Sequence, residues 1–250
     1  MKTEYTALAF DTCMQGISLG ICDLKKGVAE NRIFERPYGQ AEILVSEIKA
    51  ILRDFDLRFS DLDFIVTTRG PGTFTGLRIG LSVANMLAIS LKIPVPGVSS
   101  LEAMSTQAQR HIQQQNKNLQ EKCFFAVILE TKRKDFYFQI FDADLSPVTE
   151  CASVEGEVIS DTISEFDPKN IILAGDAVKR FCESFSKHCD EFISVYECNN
   201  IDGTVLIQQG QKILMEHYDQ ESGEIYTHKP EPLYLHGADV SKPKTGFLEF

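Results

Sequence analysis

The sequence predicts an α/β protein made of two related lobes, and three features predict it. Three short apolar runs near the N-terminus are joined by turn-like segments, which is the pattern of an antiparallel meander. An amphipathic helix, a strand and an apolar helix follow, and the second half of the chain repeats this order. Each half also begins with a strand that ends in an acidic residue and a threonine, Asp11-Thr12 and Glu130-Thr131.

The first lobe is predicted to comprise residues 1–110. Its strands are expected at Ala7–Asp11, Ile17–Asp23, Val28–Phe34 and Phe64–Thr67, and its helices at Ala41–Phe55 and Gly76–Leu91. In the first of these helices, apolar residues recur close to the 3.6-residue period, so one face is expected to be buried.

The second lobe is predicted to comprise residues 111–218 and to begin with a polar helix that leaves the first lobe. Its strands are expected at Cys123–Leu129, Asp135–Phe141, Val148–Ala152, Ile171–Ala174 and Phe192–Tyr196, and its helices at Val158–Phe166, Val178–Lys187 and Thr204–Tyr218. Glu, Gly, Lys and Pro are frequent beyond this point, so residues 219–250 are expected to form a flexible tail.

A loop rich in glycine and proline leads into the second helix of the first lobe, within Arg69–Gly80. The helix is apolar on most faces and has Arg78 as its only charge, so we expect it to be covered on more than one side. Small residues recur every four positions, which lets another backbone come close. One interpretation is a partner interface comprising Ile48, Gly76, Gly80, Val83, Ala84, Leu87 and Ala88. The other is packing into the core of its own lobe.

The composition, with 43% hydrophobic and 24% charged residues, is that of a soluble globular protein. Glu4 and Asp11 interrupt any apolar run at the N-terminus, so neither a signal peptide nor a membrane anchor is apparent and the cytoplasm is the expected location. The apolar helix is shorter than the ~20 residues of a membrane span, and no membrane partner is expected. The formal net charge of −11 argues against unaided binding of nucleic acid.

Motifs for catalysis and metal binding are incomplete. Gly16–Gly20 matches the G-x-S-x-G nucleophile elbow, but Ser18 is expected inside a strand rather than at a strand-to-helix turn. The glycine loop lacks the ending of a P-loop, and the five histidines include no i,i+4 pair. The seven cysteines contain no C-x-x-C pair, which favours reduced thiols. No catalytic, cofactor-binding or metal-binding residue is therefore assigned.

Two local arrangements leave alternatives open. Asp11 and Asp176 are expected to face one another across a cleft, where they either hold a magnesium ion with a nucleotide or cap the strand ends. At the start of the apolar helix, backbone amides near Thr73 to Gly76 either bind an anion or belong to a helix start that Thr73 or Thr75 caps.

These residues resemble the TsaB family, also called YeaZ, the noncatalytic paralogues of TsaD in bacterial threonylcarbamoyladenosine biosynthesis. The likeness is carried mainly by Arg69–Gly80 and is supported by Asp11-Thr12, Gly97–Ala103 and Pro232–Leu235. It implies two ribonuclease H-like lobes of the actin-like and sugar-kinase-like ATPase superfamily.

The resemblance also implies the function. Ser100 and Met104 stand where TsaD carries two metal-binding histidines, so the fold is expected without the metal centre. The chain is then an accessory subunit, not an enzyme, that binds a TsaD-like protein and enables threonylcarbamoyl transfer to an adenosine of tRNA.

Further partners follow from the same resemblance. A TsaE-like ATPase is expected in the complex, tRNA is expected to be contacted only indirectly, and ATP or ADP with magnesium is expected only in the complex. A homodimer through the same apolar helix is compatible with this function. The alternative function is an ATP-dependent enzyme of the same superfamily, with Asp11 and Asp176 around magnesium.

Overall fold

The computed structural model describes residues 4–35, 39–115, 123–185, 191–217 and 230–235, and these form two mixed five-stranded sheets with helices on both faces. The predicted linker residues 116–122, the predicted helix end at 186–187, and most of the predicted tail, 219–229 and 236–250, lie outside the described residues.

The first sheet has the strand order β3-β2-β1-β4-β5. Its strands are β1 (Thr6–Asp11), β2 (Ile17–Asp23), β3 (Val28–Phe34), β4 (Phe64–Thr68) and β5 (Gly97–Val98). The first three strands form the predicted antiparallel meander, whereas β4 and β5 run parallel to β1. The helices of this half are α1 (Gln40–Asp54), α2 (Phe74–Leu91) and α3 (Ser100–Gln114). Strand β5 was not predicted, because two residues carry no readable periodicity.

The second sheet repeats this arrangement in the order β10-β9-β6-β7-β8. Its strands are β6 (Phe124–Glu130), β7 (Phe136–Phe141), β8 (Ala152–Val154), β9 (Ile171–Gly175) and β10 (Ser194–Glu197). The helices are α4 (Gly156–Ser164), α5 (Val178–Phe185) and α6 (Gly203–Glu216). Because both sheets share strand order and strand directions, the predicted α/β class with two related, ribonuclease H-like lobes is confirmed.

One strand lies later in the chain than predicted. The expected strand at Val148–Ala152 is replaced by β8, which pairs with the beginning of β7. The earlier residues still meet β7 irregularly: the Val148 amide donates to the Ile140 carbonyl (2.8 Å), and the Thr149 hydroxyl accepts from the Ile140 amide (2.9 Å). A side chain thus takes the place of a ladder carbonyl and interrupts the regular strand.

The two lobes exchange helices across a shared apolar core. Helix α6 belongs to the second half of the chain but packs against β1, β2 and β4, whereas α3 belongs to the first half and packs against β6, β7 and β9. The outer face of the first sheet is covered by α1 and α2, and that of the second by α4 and α5. The layers therefore run helix, sheet, helix, sheet, helix.

Two glycines allow α6 to lie directly on the first sheet. A Cβ added at Gly20 in β2 or at Gly203 at the start of α6 would overlap backbone atoms of the other residue. The Gly203 amide donates to Asn31 Oδ1 (2.8 Å), and Asp202 caps the helix by accepting from the Thr204 amide (2.7 Å). A side chain at either glycine would push the helix away from the sheet.

The small-residue stripe of α2 faces its own sheet. A Cβ added at Gly76 would overlap the Thr12 carbonyl oxygen, and one at Gly80 would lie 2.6 Å from Thr12 Oγ1. The Thr12 hydroxyl donates to the Gly76 carbonyl (2.6 Å), and Ala84 is fully buried. The interpretation that this helix packs into the core of its own lobe is thus correct for the stripe.

By length and composition alone, α2 is apolar enough to cross a membrane, with a mean hydropathy of 1.4 over 18 residues. It is the one such helix among the described residues. This criterion discriminates poorly, because core helices of soluble proteins also meet it. Here the inward face of α2 packs on the first sheet and on α1.

The cysteines match the prediction at all but one described position. Five of them are free: Cys13, Cys22, Cys123, Cys151 and Cys198. Cys182 on α5 is disulfide-bonded, so the expectation of reduced thiols is wrong there. The sequence did not indicate it, because disulfide formation depends on the distance between two Cα atoms rather than on a C-x-x-C motif.

Part of the predicted flexible tail is ordered. Within residues 230–235, the Leu233 amide donates to the Arg69 carbonyl (2.7 Å), and the Tyr234 ring lies 5.7 Å from the Phe74 ring, centroid to centroid. Pro230 is buried next to Gly97. The polar composition of the tail did not indicate these contacts, because they are made with the glycine loop and Gly97, which are distant in the sequence.

Gly76→Ala should destabilise the fold, because the added methyl group must displace either α2 or the end of β1. We expect a loss of about 2 kcal/mol in the free energy of unfolding, as for overpacked core sites. Urea denaturation followed by circular dichroism would measure it.

Ser82→Ala is the matched control, because Ser82 lies exposed on the same helix. Its effect should stay within about 0.5 kcal/mol. Equal stability of the Gly76→Ala variant and the parent chain would show that the contact with Thr12 does not constrain the helix.

Candidate functional site

The glycine loop lies in the cleft between the lobes and connects four segments of the chain through backbone hydrogen bonds. The Thr73 amide donates to the Cys13 carbonyl (2.9 Å), and the Ser100 amide donates to the Gly70 carbonyl (2.8 Å). The loop also accepts the hydrogen bond from Leu233. The end of β1, the start of α3 and residues 230–235 are therefore all fixed relative to α2.

Asp11 ends β1 at the bottom of this cleft and is buried. Its carboxylate accepts hydrogen bonds from the Thr68 hydroxyl (2.5 Å), the Cys13 amide (3.0 Å) and the Met14 amide (3.2 Å). Burial nevertheless raises the pKa of Asp11 above its ordinary value, although these hydrogen bonds act in the opposite direction. Asp11 therefore caps the loop after β1, as the structural alternative predicts.

Asp176 follows β9 in the second lobe. Its Oδ1 accepts from the Glu130 amide (2.9 Å), and burial raises its pKa from 3.8 to about 7, with smaller contributions from Glu130 and Asp11. At neutral pH, Asp176 is therefore only partly ionised.

Both aspartates have hydrogen-bond partners within the protein. The two oxygens of Asp11 accept from backbone amides, and Asp176 Oδ1 accepts from the Glu130 amide. Within the described ranges, no three His, Cys, Asp or Glu side chains form a group that could hold a metal.

The predicted interface residues lie mostly inside the lobe. Ile48, Gly76, Gly80, Ala84 and Leu87 are buried, and only Val83 and Ala88 are partly exposed. Assignment of the buried five to a partner interface is therefore wrong: β1, β4 and α1 cover the four on α2, and Ile48 on α1 is buried in the same apolar core. The spacing of small residues identified a close approach but not the element that makes it.

The opposite face of α2 carries exposed apolar side chains. Met86 and Ile89 are 48% and 64% exposed, and Ile79 and Val83 are partly exposed beside them. We call these four residues the outer face of α2. The sequence predicted that the helix is apolar on most faces. The structure shows which of these apolar faces is exposed within the described chain.

The start of α2 is uncapped by side chains. Thr73 occupies the N-cap position, as one alternative predicts, but its side chain makes no capping hydrogen bond. The first backbone amides of the helix are thus not satisfied by a threonine hydroxyl.

The serine of the G-x-S-x-G motif is structural. Ser18 lies within β2, is buried, and is paired in register with Asp11. The chain continues from β2 through a turn into β3 rather than into a helix. Ser100 and Met104 are also fully buried in α3. These are the two positions that the resemblance equates with the metal-binding histidines of TsaD.

Two cavities adjoin the glycine loop. One, of about 550 Å³, lies between the start of α2, the β6–β7 turn and residues 233–235, and we call it the cationic cavity. Its charged lining residues are Arg78, Glu130, Lys132 and Arg133.

The second cavity, of about 900 Å³, lies towards the start of α1, and its lining includes Glu35 and Glu42. Sequence analysis missed the cationic cavity, although a run of three cations, residues 132–134, follows the Glu130-Thr131 pair.

A family model described as TsaD, tRNA N6-adenosine threonylcarbamoyltransferase, matches residues 39–142, which include α1, α2 and α3. The chain is 37% identical over 102 residues to the tRNA threonylcarbamoyladenosine biosynthesis protein TsaB of Bacillus subtilis, covering 40% of this chain and 43% of that protein. It is 30% identical over 142 residues to TsaB of Haemophilus influenzae, covering 54% and 59%. The alignments thus span less than two thirds of these curated relatives.

The fold comparison extends over most of the chain. YeaZ from Pseudomonas aeruginosa superposes with a TM-score of 0.72 at 22% identity, covering 92% of this chain and all of that structure. At this identity the likeness shows the fold alone. Sequence similarity to TsaB proteins and a fold shared with YeaZ together confirm the resemblance to the TsaB/YeaZ proteins.

Proposed function

We propose that this chain is a noncatalytic accessory subunit that binds a TsaD-like protein and enables threonylcarbamoyl transfer to an adenosine of tRNA. Its named relatives are tRNA threonylcarbamoyladenosine biosynthesis proteins, which supports a role of this chain in that process. In this proposal the protein acts in the cytoplasm, and a TsaE-like ATPase joins the complex.

The observation that carries the partner proposal is the outer face of α2. Contiguous exposed apolar side chains on a soluble protein mark an interaction site more often than an isolated one does. Met86 and Ile89 lie three residues apart and therefore on one side of the helix. A partner that covers this face removes their apolar surface from water, which favours association.

The nature of the partner follows from the similarity to TsaD. The TsaD family model matches this chain over α1 and α2, so a TsaD-like protein is expected to present a related helix pair. Two related faces can meet about an approximate two-fold axis, as in an isologous dimer. The same geometry allows a homodimer of this chain to cover the face before the partner binds.

The noncatalytic part of the proposal rests on the cleft. Asp11 is fully engaged in capping, Asp176 is partly protonated near neutral pH, and Ser100 and Met104 are buried without an imidazole at either position. No pair of a nucleophile and an activated base arises from these groups.

An ATP-dependent enzyme is the second candidate, favoured by the positions of Asp11 at the end of β1 and Asp176 directly after β9, where their carboxyl groups would hold magnesium with a nucleotide. Isothermal calorimetry of the isolated chain with ATP and magnesium discriminates between the two. Tight binding with turnover would support the enzyme, whereas no heat of binding would support the accessory subunit.

Met86→Glu combined with Ile89→Glu should weaken binding to a TsaD-like protein from the same genome. Two carboxylates would have to be buried against an apolar partner surface, so we expect an affinity loss of at least about tenfold. Size-exclusion chromatography with light scattering would detect the complex, and a titration would give its dissociation constant.

Met215→Glu is the matched control, because Met215 on α6 is a similarly exposed methionine, 56% accessible, away from the outer face. It should leave the affinity unchanged. Ala84→Arg is less informative, since Ala84 is fully buried and the variant would test folding. Equal affinities of the double variant and the parent chain would contradict the placement of the interface on α2.

Asp176→Asn should stabilise the fold increasingly as pH rises from about 4 to about 7. Below this window the carboxyl is protonated in the folded and unfolded chains alike. Within it, the unfolded chain loses the proton that the folded chain retains, so the parent loses stability while the variant does not. The asparagine oxygen can still accept from the Glu130 amide.

The gain should reach the order of 4 kcal/mol above pH 7, and urea denaturation at several pH values would measure it. Asp161→Asn, at an exposed position on α4, controls for the loss of a surface carboxyl. A stability difference that stays constant with pH would show that Asp176 is ionised in the folded chain throughout.

A further inference from the structure

We propose that the cationic cavity binds an unstacked nucleotide of a single-stranded RNA. This inference rests on the proposed function, because an accessory subunit of a tRNA-modifying complex works beside an RNA substrate. It assigns to this chain a direct RNA contact, where the resemblance implies only an indirect one.

The charge of the cavity is opposite to that of the whole chain. Arg78, Lys132 and Arg133 line it, and among the described residues Glu130 is the only acidic lining residue. Glu130 is held by Arg180, whose Nη2 and Nε lie 2.8 and 2.9 Å from the two carboxylate oxygens. The cavity is thus positive on a protein with a formal net charge of −11, and it attracts a phosphate group locally.

Aromatic rings also line the cavity. The rings of Phe74 and Tyr234 lie 5.7 Å apart, and Tyr234 is 47% exposed. The Arg78 guanidinium lies 3.8 Å from the centre of the Phe74 ring, so a cationic plane and an aromatic plane adjoin. Unpaired RNA bases stack on aromatic rings and on arginine planes, which makes this wall suitable for a base.

The dimensions favour a single unstacked nucleotide. A volume of about 550 Å³ lies within the range of small-molecule sites and leaves no room for a duplex. The start of α2 also lines the cavity, and the positive end of its helix dipole favours a phosphate there. Lys132 lines both cavities, and the neighbouring one also contains Glu35 and Glu42, so the positive charge falls off beyond Lys132 towards α1.

The first experiment measures binding of a fluorescein-labelled single-stranded oligoribonucleotide to the full chain by fluorescence anisotropy. Physiological ionic strength is used, because screening over ~8 Å limits repulsion by distant carboxylates. Lys132→Glu should weaken binding by about tenfold, since it reverses a charge at the phosphate position. Lys179→Glu, the same change at an exposed site on α5, should have little effect.

Stacking is tested separately at Tyr234. Tyr234→Ala should lower the affinity at least about fivefold, whereas Tyr234→Phe keeps the ring and should bind like the parent chain. A structural role of the hydroxyl group would instead make both variants bind alike.

Three results would overturn the inference. They are equal losses for Lys132→Glu and Lys179→Glu, equal affinity for a duplex RNA of the same length, and adenosine monophosphate competing as tightly as the oligoribonucleotide. Chromatography of the same variants with the TsaD-like protein keeps the two proposals apart. A retained complex without RNA binding would reject this inference alone, and RNA binding without a complex would reject the proposed function alone.

Discussion

The close contact between the glycine loop and the end of β1 is the constraint on which the rest of the structure depends. Gly76 meets the Thr12 carbonyl without room for a side chain, and the Thr73 amide bonds the Cys13 carbonyl. The same loop holds the start of α3 and the Leu233 segment. Because α2 is fixed on its inner side in this way, its outer face points away from the lobe, and its first residues form one wall of the cleft.

Sequence patterns predicted the order of elements well, because alternation, helical period and turn residues are local properties. They did not predict the exchange of α3 and α6, since periodicity shows that a face is buried but not which sheet buries it. The partner interface predicted from the small-residue stripe of α2 was wrong for the same reason. Gly80 and Ala84 indicated a close neighbour, and that neighbour is β1 or β4 rather than another protein.

The candidate site was only partly predictable. Asp11 and Asp176 were identified from their positions at strand ends, and the structure has them at the end of β1 and directly after β9. Their raised pKa values follow from burial, which the sequence does not report. The cationic cavity was missed because Arg78, Lys132 and Tyr234 are far apart in sequence, and only folding brings them together.

The exchange of α6 has a consequence for biosynthesis. A ribosome delivers the strands of the first sheet early, but the helix that covers their inner face, Gly203–Glu216, is synthesised only after all five strands of the second sheet. Until then this lobe exposes a broad apolar surface, with Ala9 and Val66 among its residues. The first lobe therefore completes its native core only once α6 has been synthesised, and its exposed apolar surface favours aggregation of the nascent chain before that point.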